Sequence, residues 1–276
     1  MFKKNTARKR GISMDRIQSA ANPLIKRLRS LREAKARAAT GEFLVEGEVM
    51  IREALSCGLI PTDALAEAES ALTQALSRAG ARVRLADRRA IEAACDTQTP
   101  QGVCAAFGMP ANTRVPEDAR LVVALDGVQD PGNVGTILRT ADAAGFDAIL
   151  LTGECADPYS PKVQRASMGS GFRVPMAAAA FPEALCEFQK KGFRVIVSSL
   201  DGDPLYSRAP SREDDRLILV VGNEARGVSR PVQAIADERV KIPMRGRAES
   251  LNAAVAAGIL MYELTRGRQP RAKYEV

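Results

Sequence analysis

The sequence predicts an α/β chain in two parts, a small N-terminal α/β unit and a larger C-terminal unit built on a parallel sheet. Three observations carry this reading. Apolar runs and segments of 3.6-residue period alternate along almost the whole length. The C-terminal runs "RLVVALD", "DAILLTG", "FRVIVSSL" and "RLILVVG" lack polar alternation, as strands of a parallel sheet covered on both faces do. Between the patterned regions, "GMPANTRVPEDAR" (108–120) is rich in proline and polar residues, and 109–119 reads as a linker. A chain of 276 residues has ample length for two cores.

In the N-terminal part, Asn22-Pro23 reads as an N-cap followed by proline at the first helical position. The helix from Leu24 to about Ala39 sets Leu24, Leu28, Leu31 and Ala38 on one side, with Lys26, Arg29 and Arg37 elsewhere. "EFLVEG" follows as a strand, and "GEVMIREALSCG" as a helix closed by Gly58 just past its end. "ALTQALSRAG" is a helix, "ARVRLAD" a strand, "RRAIEAAC" a helix and "QGVCAAFG" a strand. After the linker, "RLVVALD" is a strand, "NVGTILRTADAAG" a helix ending at Gly145, and "DAILLTG" a strand. Helices near 160–168 and 182–191, the strands "FRVIVSSL" and "RLILVVG", a helix after Pro231 and the short strand "RVKIP" come next. A helix from Ser250 completes the order. From Leu251 it is almost wholly apolar and small, which predicts burial on most sides, yet Ser250 and Asn252 stand in its first turn.

The formal net charge is +7, but it is unevenly spread. Residues 1–40 hold twelve Lys/Arg against Asp15 and Glu33, so this segment is +10 and the remainder −3. Residues 1–14 read as a basic, disordered tail. The chain contains no histidine. That removes the commonest general base, every Ser-His or Cys-His nucleophile and most transition-metal sites, and no metal is expected. Chemistry here needs an electrophile that is already activated, or an unusual base. Cys57, Cys95, Cys104, Cys155 and Cys186 are scattered and odd in number, which predicts reduced core thiols. The opening "MFKKNTARKRG" is too polar for a secretory signal and lacks the amphipathic stripe of a mitochondrial presequence. No apolar run approaches the ~20 residues of a membrane span. A cytoplasmic location away from membranes is expected.

Ligands of open parallel sheets bind at the carboxyl ends of strands. Three such ends carry unusual loops: 125–145, 220–229 and 242–252. In the first, Gly127, Gly132 and Gly135 do not fit G-x-G-x-x-G, and no Gly-Lys-Ser/Thr closes a phosphate loop. A nicotinamide enzyme is thereby disfavoured. Helical periodicity sets Arg139 roughly 150° from the buried stripe of its helix. It is then a solvated arginine, paired with Asp142 or Asp130, or a functional one. Asn133 is a cap or a functional group, and six residues separate it from Arg139, so the two do not share a face. Glu224 is a surface carboxylate, or its flanking Gly222 and Gly227 bring backbone close to a bulky ligand. Ser250 is an N-cap or part of a binding site.

Together the three loops closely resemble the motifs of the SpoU (TrmH-like) family of RNA 2′-O-ribose methyltransferases, within the SPOUT superfamily. The first is Asn133-Val-Gly135-Thr-Ile-Leu-Arg139, and the second Gly222-Asn-Glu224-Ala-Arg-Gly227. The third is Ile242-Pro243-Met244 with Ser250-Leu251-Asn252, and "SPKVQRASMGSGFRVP" (160–175) resembles the family segment between the first two motifs. The resemblance covers roughly 120–266 and implies a SPOUT domain over 120–276 with a trefoil knot. It implies S-adenosyl-L-methionine as cofactor, held by Thr152, Gly153, Gly222, Asn223, Ile242, Met244, Ser250 and Leu251. It assigns Arg139, Asn133, Glu224, Ser250 and Asn252 to catalysis, with Glu224, Ser250 and Asn252 orienting Arg139 and the ribose. A homodimer is implied, with the last helix as subunit surface. "FLVEGEVMIREAL" (43–55) resembles the appended RNA substrate-binding domain of many members, here 15–108. That domain favours large-subunit ribosomal RNA over tRNA as the substrate. A catalytically silent RNA-binding or ribosome-assembly factor is the alternative outside catalysis.

Overall fold

The structure is a computed structural model that describes residues 13–110 and 114–269. The described residues form two compact units that part after Pro110. Residues 1–12 of the expected basic tail lie outside the described residues, and 13–14 open a strand instead.

The N-terminal unit runs β1 (Ser13–Ile17), α1 (Pro23–Ser30), α2 (Ala34–Thr40), β2 (Glu42–Glu46), α3 (Glu48–Ser56), β3 (Pro61–Ala66), α4 (Ala71–Arg78), β4 (Arg82–Ala86), α5 (Arg88–Ala94) and β5 (Val103–Gly108). Its sheet has the order β1-β4-β3-β5-β2. β1, β4 and β3 are parallel, whereas β5 runs antiparallel to both of its neighbours. Asn22 caps α1 as expected, its side chain accepting from the Leu24 N–H at 2.9 Å. Gly58 follows α3 with φ +75°, the left-handed conformation that ends a helix at little cost to glycine.

The single helix expected over 24–39 is two. The chain breaks at Leu31-Arg32-Glu33, and Arg37, expected away from the apolar side, is only 2 % exposed while Ala38, expected on that side, is exposed. The guanidinium of Arg37 donates from Nη1 to the carbonyls of Leu31 (2.8 Å) and Arg32 (2.6 Å). It thus satisfies backbone acceptors at the break, which local periodicity could not foretell. Arg37→Met keeps the aliphatic stem but strands those carbonyls. The N-terminal unit should lose about 2 kcal/mol, read by urea unfolding of the full chain. β1 and β3 were not expected. "PTDALA" is rich in helix-favouring alanine, but it lies between β4 and β5, where tertiary pairing overrides propensity.

The C-terminal unit runs β6 (Leu121–Asp126), α6 (Pro131–Ala143), β7 (Ala148–Leu151), α7 (Pro161–Ser167), α8 (Ser170–Arg173), β8 (Met176–Ala178), α9 (Glu183–Lys190), β9 (Phe193–Pro204), β10 (Arg216–Gly222), α10 (Arg230–Ile235), β11 (Glu238–Lys241) and α11 (Ala253–Thr265). The six strands lie in the order β11-β9-β10-β6-β7-β8, every pair parallel. Alternate strand residues feed two cores. Val123, Leu125 and Leu219 pack with α6, α7 and α11 on one face, and Val122, Ala124 and Val220 with α9 and α10 on the other. That double cover is why the strands read as unbroken apolar runs. The two short elements α8 and β8 were not expected.

The last helix is less enclosed than its composition suggests. Ala254, Ala257, Leu260, Met261 and Leu264 are buried, while Val255 and Tyr262 are 51 % and 57 % exposed in the single chain. The N-cap is Asn252, not Ser250. Its Oδ1 accepts from the N–H groups of Ala254 and Val255, and Ser250 is exposed two residues earlier. Among the described residues no helix is long and apolar enough to cross a membrane, and no cluster of three or more Cys, Asp or Glu suits a metal. The five cysteines are free thiols, with Cys95 and Cys104 buried and the others half-buried.

Candidate active site

After β8 the chain crosses the sheet to β9, and β10 then inserts between β9 and β6. The chain therefore leaves the ends of β6 and β10 in opposite directions, the arrangement that opens a crevice at the carboxyl edge. A cavity of about 750 Å³ lies there, lined by Asp126, Thr152, Gly153, Ala178, Asn223, Arg226 and neighbouring residues. A smaller cavity, about 340 Å³, sits at the amino edge beside Leu121, Asp147 and Tyr262 and includes none of the expected site residues.

One chain of hydrogen bonds joins the three loops, and elementary donor chemistry fixes its direction. The Glu224 carboxylate can only accept. It takes the backbone N–H groups of Gln129 (3.3 Å) and Asp130 (3.2 Å), and Asn133 Nδ2 at 2.9 Å. With its amide nitrogen so engaged, Asn133 turns Oδ1 toward Asn252 Nδ2, also at 2.9 Å. Asn252 is left with Oδ1 to cap α11. Glu224, Asn133 and Asn252 thus fasten loop to loop to loop. Asn133 is buried within α6, whose cap is Asp130, accepting from the Asn133 N–H at 2.8 Å.

Burial pushes the Glu224 carboxyl up, but hydrogen bonds from Asn133 and from the backbone N–H groups outweigh it, leaving the group below the ordinary 4.5. A depressed carboxylate stabilises the fold above its unfolded value and loses that contribution as pH falls through the folded one. The contribution of the three-loop link should therefore be full above the ordinary carboxylate value and fade as pH falls through the lower value of the folded state. Thermal unfolding across pH 3–6 checks this, and Glu224→Gln should flatten that part of the profile.

The glycines of the site are there for lack of room. A Cβ on Gly135 would sit 2.4 Å from Ala166 Cβ and 2.8 Å from the Val163 carbonyl, so α6 and α7 cross only if this position is bare. A Cβ on Gly222 would sit 2.1 Å from Gly227 C and Val228 N, where the turn 223–227 folds back on β10. Asn223 shapes that turn. Its backbone pairs with Gly227, its Oδ1 accepts from Ala225 and Arg226 N–H, and its Nδ2 donates to Gly127 O at 2.8 Å. Thr152 Oγ1 accepts from Gly127 N–H at 3.0 Å, linking the end of β7 to the first loop.

Of the expected cofactor residues, Thr152, Gly153 and Asn223 line the cavity, with Gly222 directly behind Asn223. Ile242, Met244, Ser250 and Leu251 lie on the loop from β11 to α11, with Ile242 packed against the core. Arg139 is exposed on α6 and has no hydrogen-bond or ion-pair partner among the described residues. Asp142, one candidate partner, is held instead by Arg173 at 2.6 Å, and Asp130 serves as the cap. Glu224 and Asn252 bond to Asn133, and neither bonds to Arg139. Sequence reasoning missed Asp126. It ends β6, lines the cavity and accepts from the Ser229 N–H at 2.8 Å, and an aspartate closing an apolar strand was the available signal.

An all-parallel sheet with a carboxyl-edge crevice and a Glu224–Asn133–Asn252 tie across three loops defines the class, and the chain belongs to the SpoU rRNA Methylase family, matched over residues 120–262. Residues 22–105 match the MRM3-like substrate binding domain. Among its relatives is the 23S rRNA (guanosine(2553)-2′-O)-methyltransferase RlmP of Bacillus subtilis, 37 % identical over 91 % of this chain and 99 % of that protein. The crystal structure of an AdoMet-bound rRNA methyltransferase from Sinorhizobium meliloti superposes with a TM-score of 0.83 at 32 % identity, covering 92 % of this chain and 98 % of that one. The SpoU methyltransferase AviRb from Streptomyces viridochromogenes, in complex with AdoMet, gives 0.77 at 30 % identity, covering 89 % and 97 %.

Proposed function

We propose that the chain transfers a methyl group from S-adenosyl-L-methionine to a ribose 2′-hydroxyl of ribosomal RNA. The observation that carries this is the tie from Glu224 through Asn133 to Asn252, which draws all three motif loops to one edge of the sheet. The cavity there suits the cofactor. Its volume of about 750 Å³ accommodates a nucleoside with an amino-acid tail, and carboxylates (Asp126, Glu154) and a guanidinium (Arg226) among its lining residues would complement that zwitterion's charges. Thr152, Gly153, Gly222, Asn223, Ile242, Met244, Ser250 and Leu251 would hold it. When bound, it supplies a methyl carbon already made electrophilic by sulfonium charge, which meets the need of a protein without histidine.

The protein's share is alignment and charge. Arg139, always protonated, clamps an RNA phosphate and stabilises negative charge developing on the 2′ oxygen. The clamped phosphate lies beside the hydroxyl and offers an acceptor for its proton. Asn133 and Ser250 position the ribose, while Glu224 and Asn252 hold Asn133 in place. The N-terminal unit, over 15–108, grips RNA with help from the +10 segment, and its kinship to a substrate-binding domain favours ribosomal RNA over tRNA.

Threading of residues 242–252 into a trefoil knot is part of the same reading. β11 lies at the sheet edge, yet α11 returns against central β10 and α6. The exposed Val255 and Tyr262 on α11 serve as subunit surface in a homodimer. On this reading the protein works in the cytoplasm with its RNA and needs no metal.

Transfer of labelled methyl to unmodified ribosomal RNA tests the function. Label should resist alkaline hydrolysis at one nucleotide, because a 2′-O-methyl blocks strand cleavage. Label on a base, or none, overturns the reading.

A further inference from the structure

The arginines of the C-terminal unit differ in what holds them. At the amino edge of the sheet their donors are committed within the fold. Arg120 donates to the Glu213 carbonyl at 2.8 Å, Arg194 meets Asp215 and Glu238, and Arg216 reaches the carbonyls of Glu117, Ala119 and Lys191. At the carboxyl edge, Arg230, Arg245 and Arg247 are exposed and have no such partner among the described residues. Arg230 opens α10 directly after the 223–229 turn, and Arg245 and Arg247 stand in the loop after β11. That loop is pinned at one end by Ile242 in the core and at the other by Asn252 on Asn133. Glu249 is its single carboxylate. Arg226 is the exception on this edge, pairing with Glu154 at 3.0 Å with both side chains well exposed.

We propose that Arg230, Arg245 and Arg247 grip the phosphodiester backbone of the RNA strand flanking the target ribose. The inference rests on the methyltransferase reading and adds a strand-holding edge to it. A guanidinium fork matches two phosphate oxygens, and anchored loop ends fix where the forks stand. Each contact releases counterions, so each leaves a measurable mark on the salt dependence of binding.

The test uses the full chain and a fluorescein-labelled, unmodified 23S ribosomal RNA transcript, with affinity read by anisotropy across a salt series. Each of Arg230→Gln, Arg245→Gln and Arg247→Gln should reduce the slope of log affinity against log salt by roughly 0.7. The triple variant should bind at least ~30-fold more weakly at low salt and keep its S-adenosylmethionine affinity within about twofold, since loss of phosphate contacts acts on RNA alone. Arg212→Gln removes an equal charge at the amino edge, from an exposed pair with Asp214, and should change neither quantity. Wild-type slope and affinity in the triple variant overturn the proposal. So does an equal loss in Arg212→Gln, which reduces the effect to net charge. Should the wild type bind the transcript but transfer no methyl to it, the enzymatic reading fails while the slope comparison still decides the clamp.

Discussion

Arg139→Ala should lower methyl transfer at least ~100-fold while leaving S-adenosylmethionine affinity near that of the wild type. Removing one well-aimed charge that stabilises developing negative charge typically costs that much. The structure makes this substitution unusually clean. Arg139 is exposed, lies off the packed face of α6 and holds no partner among the described residues, so nothing in the fold depends on its head group. The acids expected from the sequence to pair with it are otherwise engaged, Asp142 by Arg173 and Asp130 as the helix cap. Single-turnover transfer and calorimetry with the cofactor separate the two effects. Arg139→Lys sharpens the result. It keeps the charge but loses the planar fork, and should recover only part of the rate if bidentate phosphate clamping is the arginine's task. Full transfer by Arg139→Ala would remove the residue from the mechanism.

The two levels of structure were unequally legible. Strands of the C-terminal sheet announced themselves because burial on both faces disfavours polar residues, and β6, β10 and the Val195-Ile196-Val197 centre of β9 read as apolar runs. The break between α1 and α2 did not, because it depends on a buried guanidinium reaching back to the carbonyls of Leu31 and Arg32. Periodicity set Arg37 off the apolar side of a single helix, in keeping with the rarity of buried arginine. β3 was hidden by alanines that favour helices until strands flank them on both sides. At the site, motif positions identified Asn133, Glu224 and Asn252 but not what they do to one another. Side chains 91 and 119 residues apart in sequence meet only in the fold. The same limit explains Ser250 and Asn252, since both suit an N-cap and only the path of the preceding loop assigns the role to Asn252.

Gly222→Ala should weaken S-adenosylmethionine binding about 100-fold, a loss of roughly 2.7 kcal/mol. The argument is steric. Its Cβ would stand 2.1 Å from main-chain atoms of Gly227 and Val228, far inside any real contact, and backbone cannot rotate away as a side chain can. The turn 223–227 must therefore shift as a unit. Asn223 would lose its hold on Gly127 O, and Glu224 its grip on Asn133 and the 129–130 amides. Overpacking of this kind also lowers stability by about 1–3 kcal/mol, so thermal unfolding should report the strain independently. Gly153→Ala supplies the contrast. It belongs to the same cavity, but its Cβ would meet no atom within 4 Å, so the free protein should keep its stability. Any loss of cofactor affinity in Gly153→Ala then arises from the new methyl entering the space the cofactor fills. Calorimetry on both variants distinguishes a displaced wall from a smaller room. Wild-type affinity in Gly222→Ala would mean that the 223–227 turn is no wall of the cofactor site.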